Sequence, residues 1–340
     1  MNPQIASEEL YFKITNEYEI HNGFVYKDGL NILTEEFNDD PQASCVAGGF
    51  YFTTKEFIHD FYHYGCYLRV IELPIGDLVA ESQVDRMERS NPDFKMIKDP
   101  QGNKYRANKI ILKERYSLDD IETYNKFGIK CPTLQQSAYH GHLQMVKYLI
   151  GKQSDIHTDN EYEYALIWSA RNGHLEVVKY LIEKGADIHA NNDETLVYSA
   201  ANGHLEVVKY LVEKGADIYA NNDETLVYSA ANGHLEVVKY LVEKEADIYA
   251  NNGQALRWSA RNGHLEVVKY LIEKGADIHA NNDEALGCSA ANSHLEVVKY
   301  LVEKGADIHA NDGQALRWSF LNSHPEVTKY LKQLASQKQR

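Results

Sequence analysis

Residues 191–250 read NNDETLVYSAANGHLEVVKYLVEKGADIYA twice in succession, with one change: Gly215 of the first copy becomes Glu245 in the second. A 30-residue period copied this closely decides the architecture of most of the chain before any propensity is consulted. One such unit cannot bury its apolar face alone, so units stack and each contacts mainly its neighbours. Within the unit, Leu196–Asn202 is expected to form a short first helix closed by Gly203. Leu205–Lys214 is expected to form a second, with Leu205, Val208, Leu211 and Val212 on its apolar face and Glu206, Lys209, Glu213 and Lys214 outside. Gly215 supplies a left-handed stop, and the short loop makes the pair antiparallel.

Working outward, Gly-His or Ser-His pairs end at His142, His174, His204, His234, His264, His294 and His324, marking seven units from about Cys131. The step is 30 residues except the first, where GKQSDIHTDNEYEY departs from the pattern. The recurring Gly-His-Leu-Glu-Val-Val-Lys opening and Lys-Gly-Ala-Asp-Ile ending resemble the ankyrin repeat. That resemblance implies an all-α solenoid and a protein-binding function. Two departures stand out. The usual Thr-Pro-Leu-His is Glu-Thr-Leu-Val or Gln-Ala-Leu-Arg here, and the unit is about three residues short of the usual period. Stubby turns are expected in place of projecting β-fingers, which moves the binding surface onto the first helices.

The positions that vary within copied units are the informative ones. Along the first helices run Trp168, Tyr198, Tyr228, Trp258, Cys288 and Trp318, and three residues later Arg171, Ala201, Ala231, Arg261, Ala291 and Leu321. A spacing of i, i+3 puts each pair on one helix face. In an ankyrin-like stack that face borders the concave groove, and aromatic and arginine side chains are the usual anchors of interfaces. Arg257 and Arg317 add donors beside Trp258 and Trp318. The alternative is that the aromatics only fill space between helices. The repeated histidines do not make a metal site, because successive units stand about 8–10 Å apart while ligands lie about 2 Å from an ion. They are expected to be structural, satisfied by local backbone, and the ladder His189, Tyr219, Tyr249, His279, His309 to lie at the surface. No catalytic pair, metal or cofactor is expected.

Residues 1–116 show no repeat. Tyr11–Thr15, Phe24–Tyr26, Leu30–Leu33, Gly49–Thr53 and Tyr67–Leu73 read as strands, and Thr53 with Glu56 as a capping box opening a helix over Lys55–Tyr64. Leu78–Arg89 reads as a polar excursion, and Phe94–Lys98 and Lys104–Leu112 as a hairpin about Asp99-Pro100-Gln101-Gly102. A compact, mainly β domain of α+β class follows. The segment His21-Asn22-Gly23 with Gly49-Phe50-Tyr51-Phe52-Thr53-Thr54 is loosely similar to ADP-ribosyltransferase-type folds. Glu72 and Tyr105-Arg106-Ala107-Asn108-Lys109 are further polar candidates, but the acidic residue that chemistry requires has no clear place. Taken together, NGFVYKDGLN, FNDDP, SCVAGGFYFT, YGCYLRVIELP and FKMIKDPQGNKYRANKIIL resemble the uncharacterised N-terminal domain that precedes ankyrin repeats in giant-virus (mimivirus-type) proteins. The charged stretch Ile75–Pro92 is longer than that pattern usually allows. Between the two regions, 117–130 reads as a degenerate half-unit that caps the array, leaving repeats over 131–340.

Composition agrees with an intracellular protein. Cys45, Cys66, Cys131 and Cys288 are scattered and read as reduced thiols. The net charge of −15 is shared about evenly between residues 1–130 and 131–340, which disfavours nucleic acid and anionic membranes. No signal peptide or transmembrane segment is expected. The expectation is a monomeric scaffold that binds a protein of the host cell, in the host cytoplasm or packaged in a virion. The alternative is a bipartite effector whose repeats deliver an N-terminal transferase.

Overall fold

The computed structural model describes residues 10–337 apart from 41, 44–46, 75–92, 101 and 153–159. Contacts divide the chain into two compact units, 1–158 and 159–340. The first is built on a seven-stranded sheet in the order β4-β9-β6-β1-β5-β8-β7, with every pairing antiparallel. Its strands are β1 (Tyr11–Thr15), β4 (Gly29–Ile32), β5 (Phe50–Thr54), β6 (Tyr67–Glu72), β7 (Met96–Lys98), β8 (Tyr105–Ala107) and β9 (Lys109–Ser117). A separate two-stranded ribbon joins β2 (Ile20–His21) to β3 (Phe24–Val25).

All five residues of β1 are buried, because this central strand has apolar partners on both faces. Tyr11 packs with Phe50, Phe52, Ile71, Ile110 and Leu112 on one side. Phe12 and Ile14 pack on the other with Ile58, Tyr62, Leu118, Tyr124 and Met145. The second face is thus covered by the segment after β5, by helix α1 (Ile121–Phe127) and by α3 (Leu143–Lys152), the second helix of the first repeat, which follows α2 (Leu134–Tyr139). Asp120 caps α1 through the Glu122 amide at 3.0 Å, and Gly128 ends it in the left-handed region. The boundary expected at 116 falls within β9.

Two local expectations are corrected. Thr53 and Thr54 pair with Phe12 and Tyr11, so the strand runs through the proposed capping box. Thr53 donates instead to the Asn103 carbonyl, and only a 3-10 helix, Ile58–Tyr64, follows, with no side-chain cap. Lys104–Leu112 is two strands rather than one. Asn108 interrupts it, donating through Nδ2 to the Asp93 carbonyl at 2.7 Å and accepting the Lys95 amide at 2.8 Å. β8 then pairs with β5 and β7, whereas β9 pairs with β4 and β6. The expected excursion over Leu78–Arg89 lies outside the described residues.

The second unit is six helix pairs. The first helices are α4 (Glu161–Arg171), α6 (Ala190–Ala201), α8 (Ala220–Ala231), α10 (Ala250–Arg261), α12 (Ala280–Ala291) and α14 (Ala310–Leu321). The second helices are α5 (Leu175–Glu183), α7 (Leu205–Glu213), α9 (Leu235–Glu243), α11 (Leu265–Glu273), α13 (Leu295–Glu303) and α15 (Pro325–Gln337). First helices meet their neighbours along their length, while second helices touch at few positions, so the first helices form the tight row. In α7 the fully buried residues are Val207, Val208 and Leu211, with Leu205 and Val212 half-buried. The apolar face is therefore turned one residue from that expected, because the helix is packed on two sides within the stack.

The shortened turn has a specific geometry. Asn191, Asn192 and Asp193 are all left-handed, with φ of 52°, 56° and 58°, so the helical backbone of α6 begins only after them. The same conformation recurs at Asn281, Asn282 and Asp283 and at Asn251, Asn252 and Gly253. Asn, Asp and Gly are the residues that enter this region at least cost. No strand forms in these turns, in line with the stubby connections expected. The expected left-handed stop is also present, with φ of 100° at Gly215 and 69° at Glu245.

The histidines join units rather than loops. His204 Nε2 lies 2.8 Å from the Arg171 carbonyl of the preceding unit, and His234, His264 and His324 make the same bond to Ala201, Ala231 and Ala291 at 2.9–3.0 Å. Their structural role is as expected, but the acceptor is the neighbouring unit and not local backbone. The preceding glycine makes room for the ring: a Cβ on Gly203 would sit 2.5 Å from His234 Nδ1. Burial lowers the pKa of His204 and His294, which favours the neutral ring needed for packing.

Candidate functional site

Each first helix has a buried side facing its partner, formed by residues such as Leu196, Ser199 and Ala200, and an open side one step round. The sequence-selected residues occupy that open side. Trp168, Tyr198, Arg257, Trp258 and Trp318 are half-buried, Arg171, Arg261 and Arg317 are exposed, and Tyr228 is 43% exposed.

They assemble into two groups. Arg171 lies over the Trp168 ring at 5.2 Å and over the Tyr198 ring of the next unit at 5.3 Å. Arg261 lies over Trp258 at 4.6 Å and Arg257 at 5.4 Å. Such stacks hold an arginine in one orientation while leaving its donors available. Arg257 differs, because its Nη1 also meets both Glu284 oxygens at 3.1 Å. Its guanidinium therefore bonds the neighbouring unit as well as flanking the tryptophan. The Tyr198 hydroxyl bonds to Glu194, which raises the phenol pKa. Tyr228 falls between the two groups in the stack, and Trp318 is set apart from Trp258 by the unit carrying Cys288, whose thiol pKa is raised by burial.

Tyr164 belongs to the same face and escaped the sequence reading. It is 45% exposed and stands four residues before Trp168 and seven before Arg171, a helical spacing that was available as a signal. The ladder near the turns is at the surface: Tyr219 and Tyr249 are 49% and 56% exposed. His189 and His279 bond Asp193 and Asp283 at 3.1 and 3.0 Å. Among the described residues no group of three or more His, Cys, Asp or Glu could hold a metal ion.

In the sheet unit, His21 and Tyr51 do come together, lining one cavity with Thr53. No carboxylate of the described residues lines it, and Glu72 is turned to Lys113 at 2.5 Å. Arg106 is occupied otherwise. It is 1% exposed and donates to the carbonyls of Ala43 and Asp40. Cys66, Cys131 and Cys288 are free thiols. Among the described residues no helix is long and apolar enough to cross a membrane.

Comparison with known proteins agrees with this architecture. A family model for ankyrin repeats in three copies matches residues 134–222 and 220–282, and a second ankyrin-repeat model matches 288–331. An ankyrin repeat protein of Acanthamoeba polyphaga mimivirus is 40% identical over 150 residues, covering 42% of this chain and 68% of the relative. An uncharacterised protein of the same virus is 47% identical over 125 residues, covering 37% of this chain and 79% of the relative. Another of its ankyrin repeat proteins is 36% identical over 153 residues, covering 43% and 42%. With helix pairs recurring through both units and the matches spanning them, the chain belongs to the ankyrin repeat family, whose arrays are protein-interaction scaffolds, and its relatives are giant-virus proteins.

Proposed function

We propose that the chain binds a protein of the infected cell along the open side of its first helices. The observation that carries this reading is the pair of arginine–aromatic stacks, Trp168-Arg171-Tyr198 and Arg257-Trp258-Arg261, at the positions where otherwise copied units differ. Their side chains are already ordered against one another, so little conformational freedom remains to be lost on binding. Each buried aromatic or arginine anchor contributes about 2 kcal/mol or more when a partner excludes water from it. Tyr228, Arg317 and Trp318 extend the row. The protein works as a monomer within the host cytoplasm, with packaging into virions as a further location. A transferase role for the N-terminal unit has less support, because the carboxylate its chemistry needs is missing from the described lining of the cavity.

The test is quantitative capture from infected-cell lysate by the full chain, by Trp258→Ala with Arg261→Ala, and by Lys269→Ala on a second helix as control. The expected result is a partner retained by wild type and control but lost from the double variant, with unchanged helical circular dichroism. Equal capture by all three overturns the assignment of the face.

A further inference from the structure

β1 and β5 pair at only two positions, Tyr11 with Thr54 and Phe12 with Thr53. Beyond Phe12 the two strands part, and Lys13 Nζ reaches the Tyr51 carbonyl at 2.9 Å. A cavity of about 270 Å³ occupies this opening. Its walls include Phe12, Phe52, Ile58 and Phe61, and its polar lining includes Lys13 and Lys104. His21 and Tyr64 stand at its edge with ring centroids 5.6 Å apart, and Tyr64 is 45% exposed, so the cavity communicates with solvent.

Lys13 is the unusual member. It is 5% exposed, one of its three donors is taken by the Tyr51 carbonyl, and its ammonium lies 4.7 Å from the Tyr26 ring centroid. The carboxylate whose charge reaches it, Glu19, lies 3.9 Å from Arg69 and 3.7 Å from Arg115. A buried ammonium without a close counter-charge is costly to maintain. Lys104, 7% exposed, stands over the Tyr51 ring at 5.2 Å with Asp99 at 3.8 Å. The described lining thus offers two buried lysines, of which Lys104 has Asp99 behind it and Lys13 has no close carboxylate, beside apolar side chains.

We propose that this cavity binds a small organic anion with an aromatic body, its charged group against Lys13 and Lys104 and its ring against Phe12, Ile58 and Phe61. The anion supplies the counter-charge that Lys13 lacks, while the ring displaces water from the apolar wall. Burial lowers the pKa of Lys13 to about 8, so the ammonium still carries its proton at neutral pH. Nothing in this proposal depends on the protein-binding face, and either can fail alone.

The experiment is isothermal titration of the full chain with benzoate and phenyl phosphate. Benzamide serves as the neutral counterpart of benzoate, and inorganic phosphate as the headgroup without a ring. At least one aromatic anion is expected to bind at about millimolar Kd or tighter, with benzamide weaker by about tenfold or more. Inorganic phosphate is expected to bind more weakly than phenyl phosphate, and the stronger aromatic anion identifies the preferred headgroup. Lys13→Met, with a melting temperature equal to or above wild type, is expected to lose the binding by about tenfold or more. Equal binding of benzamide, wild-type binding by Lys13→Met, or no binding of either aromatic anion overturns the proposal. Inorganic phosphate binding as tightly as phenyl phosphate overturns the aromatic part.

Discussion

In the repeat unit a stabilising contact is made once and then copied every 30 residues, whereas in the sheet unit each is made once only. The histidine-to-carbonyl bond recurs along the stack. So does the carboxylate of Asp193, Asp223 or Asp283 accepting the amide of Asp217, Asp247 or Asp307 at the far end of the same unit. Among the described residues nothing repeats Arg106, whose guanidinium ties β8 to the carbonyls of Asp40 and Ala43 and lies under Gly49. The array thus spreads its stability over equivalent joints, as expected of a quasi-one-dimensional stack. The sheet unit concentrates it in a few pins.

The sharpest way to break that contrast is Arg106→Ala. It empties a fully buried site and leaves two carbonyls without their donor, and the expected loss is about 3–5 kcal/mol. Denaturant unfolding should show the sheet transition shifting while the helical transition stays in place. A shift of both would mean that the array depends on the same pin.

Lys13→Met tests a pin that works against stability. Burial lowers this lysine's pKa to about 8 from the ordinary lysine value of 10.5. Above pH 8 and up to about 10.5 the unfolded chain holds a proton the folded one has released, so this group makes wild-type stability rise with pH across that window. Below pH 8 the full penalty is present. Lys13→Met should then gain up to about 3 kcal/mol, less about 1 kcal/mol for the bond lost at the Tyr51 carbonyl. The advantage over wild type should shrink between pH 8 and 10.5, and a gap independent of pH would remove the electrostatic account.

The array was readable because its evidence is local and repeated. Seven Gly/Ser-His pairs locate seven helix pairs, and the difference between Gly215 and Glu245 locates a left-handed stop. β1, β5 and β6 were likewise visible as short β-prone runs. The cavity was not, because residues 13, 21, 51, 61 and 104 meet only after strands distant in sequence pair, and no period marks them. The three consecutive left-handed residues were missed for another reason. Asn and Asp each enter that conformation readily, but three in succession directly before a helix carry no spacing that separates them from an ordinary turn.

The smallest expected effect lies inside the array. Glu245 takes φ of 69° where glycines at equivalent stops take 96–107°, so Glu245→Gly should stabilise the protein by about 1 kcal/mol. The check is a melting curve. An unchanged midpoint would mean that this joint tolerates a side chain without strain.

The histidine bond also bears on how such a chain changes length. From His204 onward a unit carries a ring that plugs into its predecessor, and Gly173, Gly203, Gly233 and Gly263 with a nearby carbonyl serve as sockets for the successor. Even where Ser293 replaces the glycine, His324 still reaches the Ala291 carbonyl at 2.9 Å. Cutting out residues 221–250 would bring the plug of one unit against an identical socket, with no surface left to redesign. Whole units can therefore be gained or lost like links in a watch strap, and the near-identical pair at 191–250 is what such an insertion leaves behind.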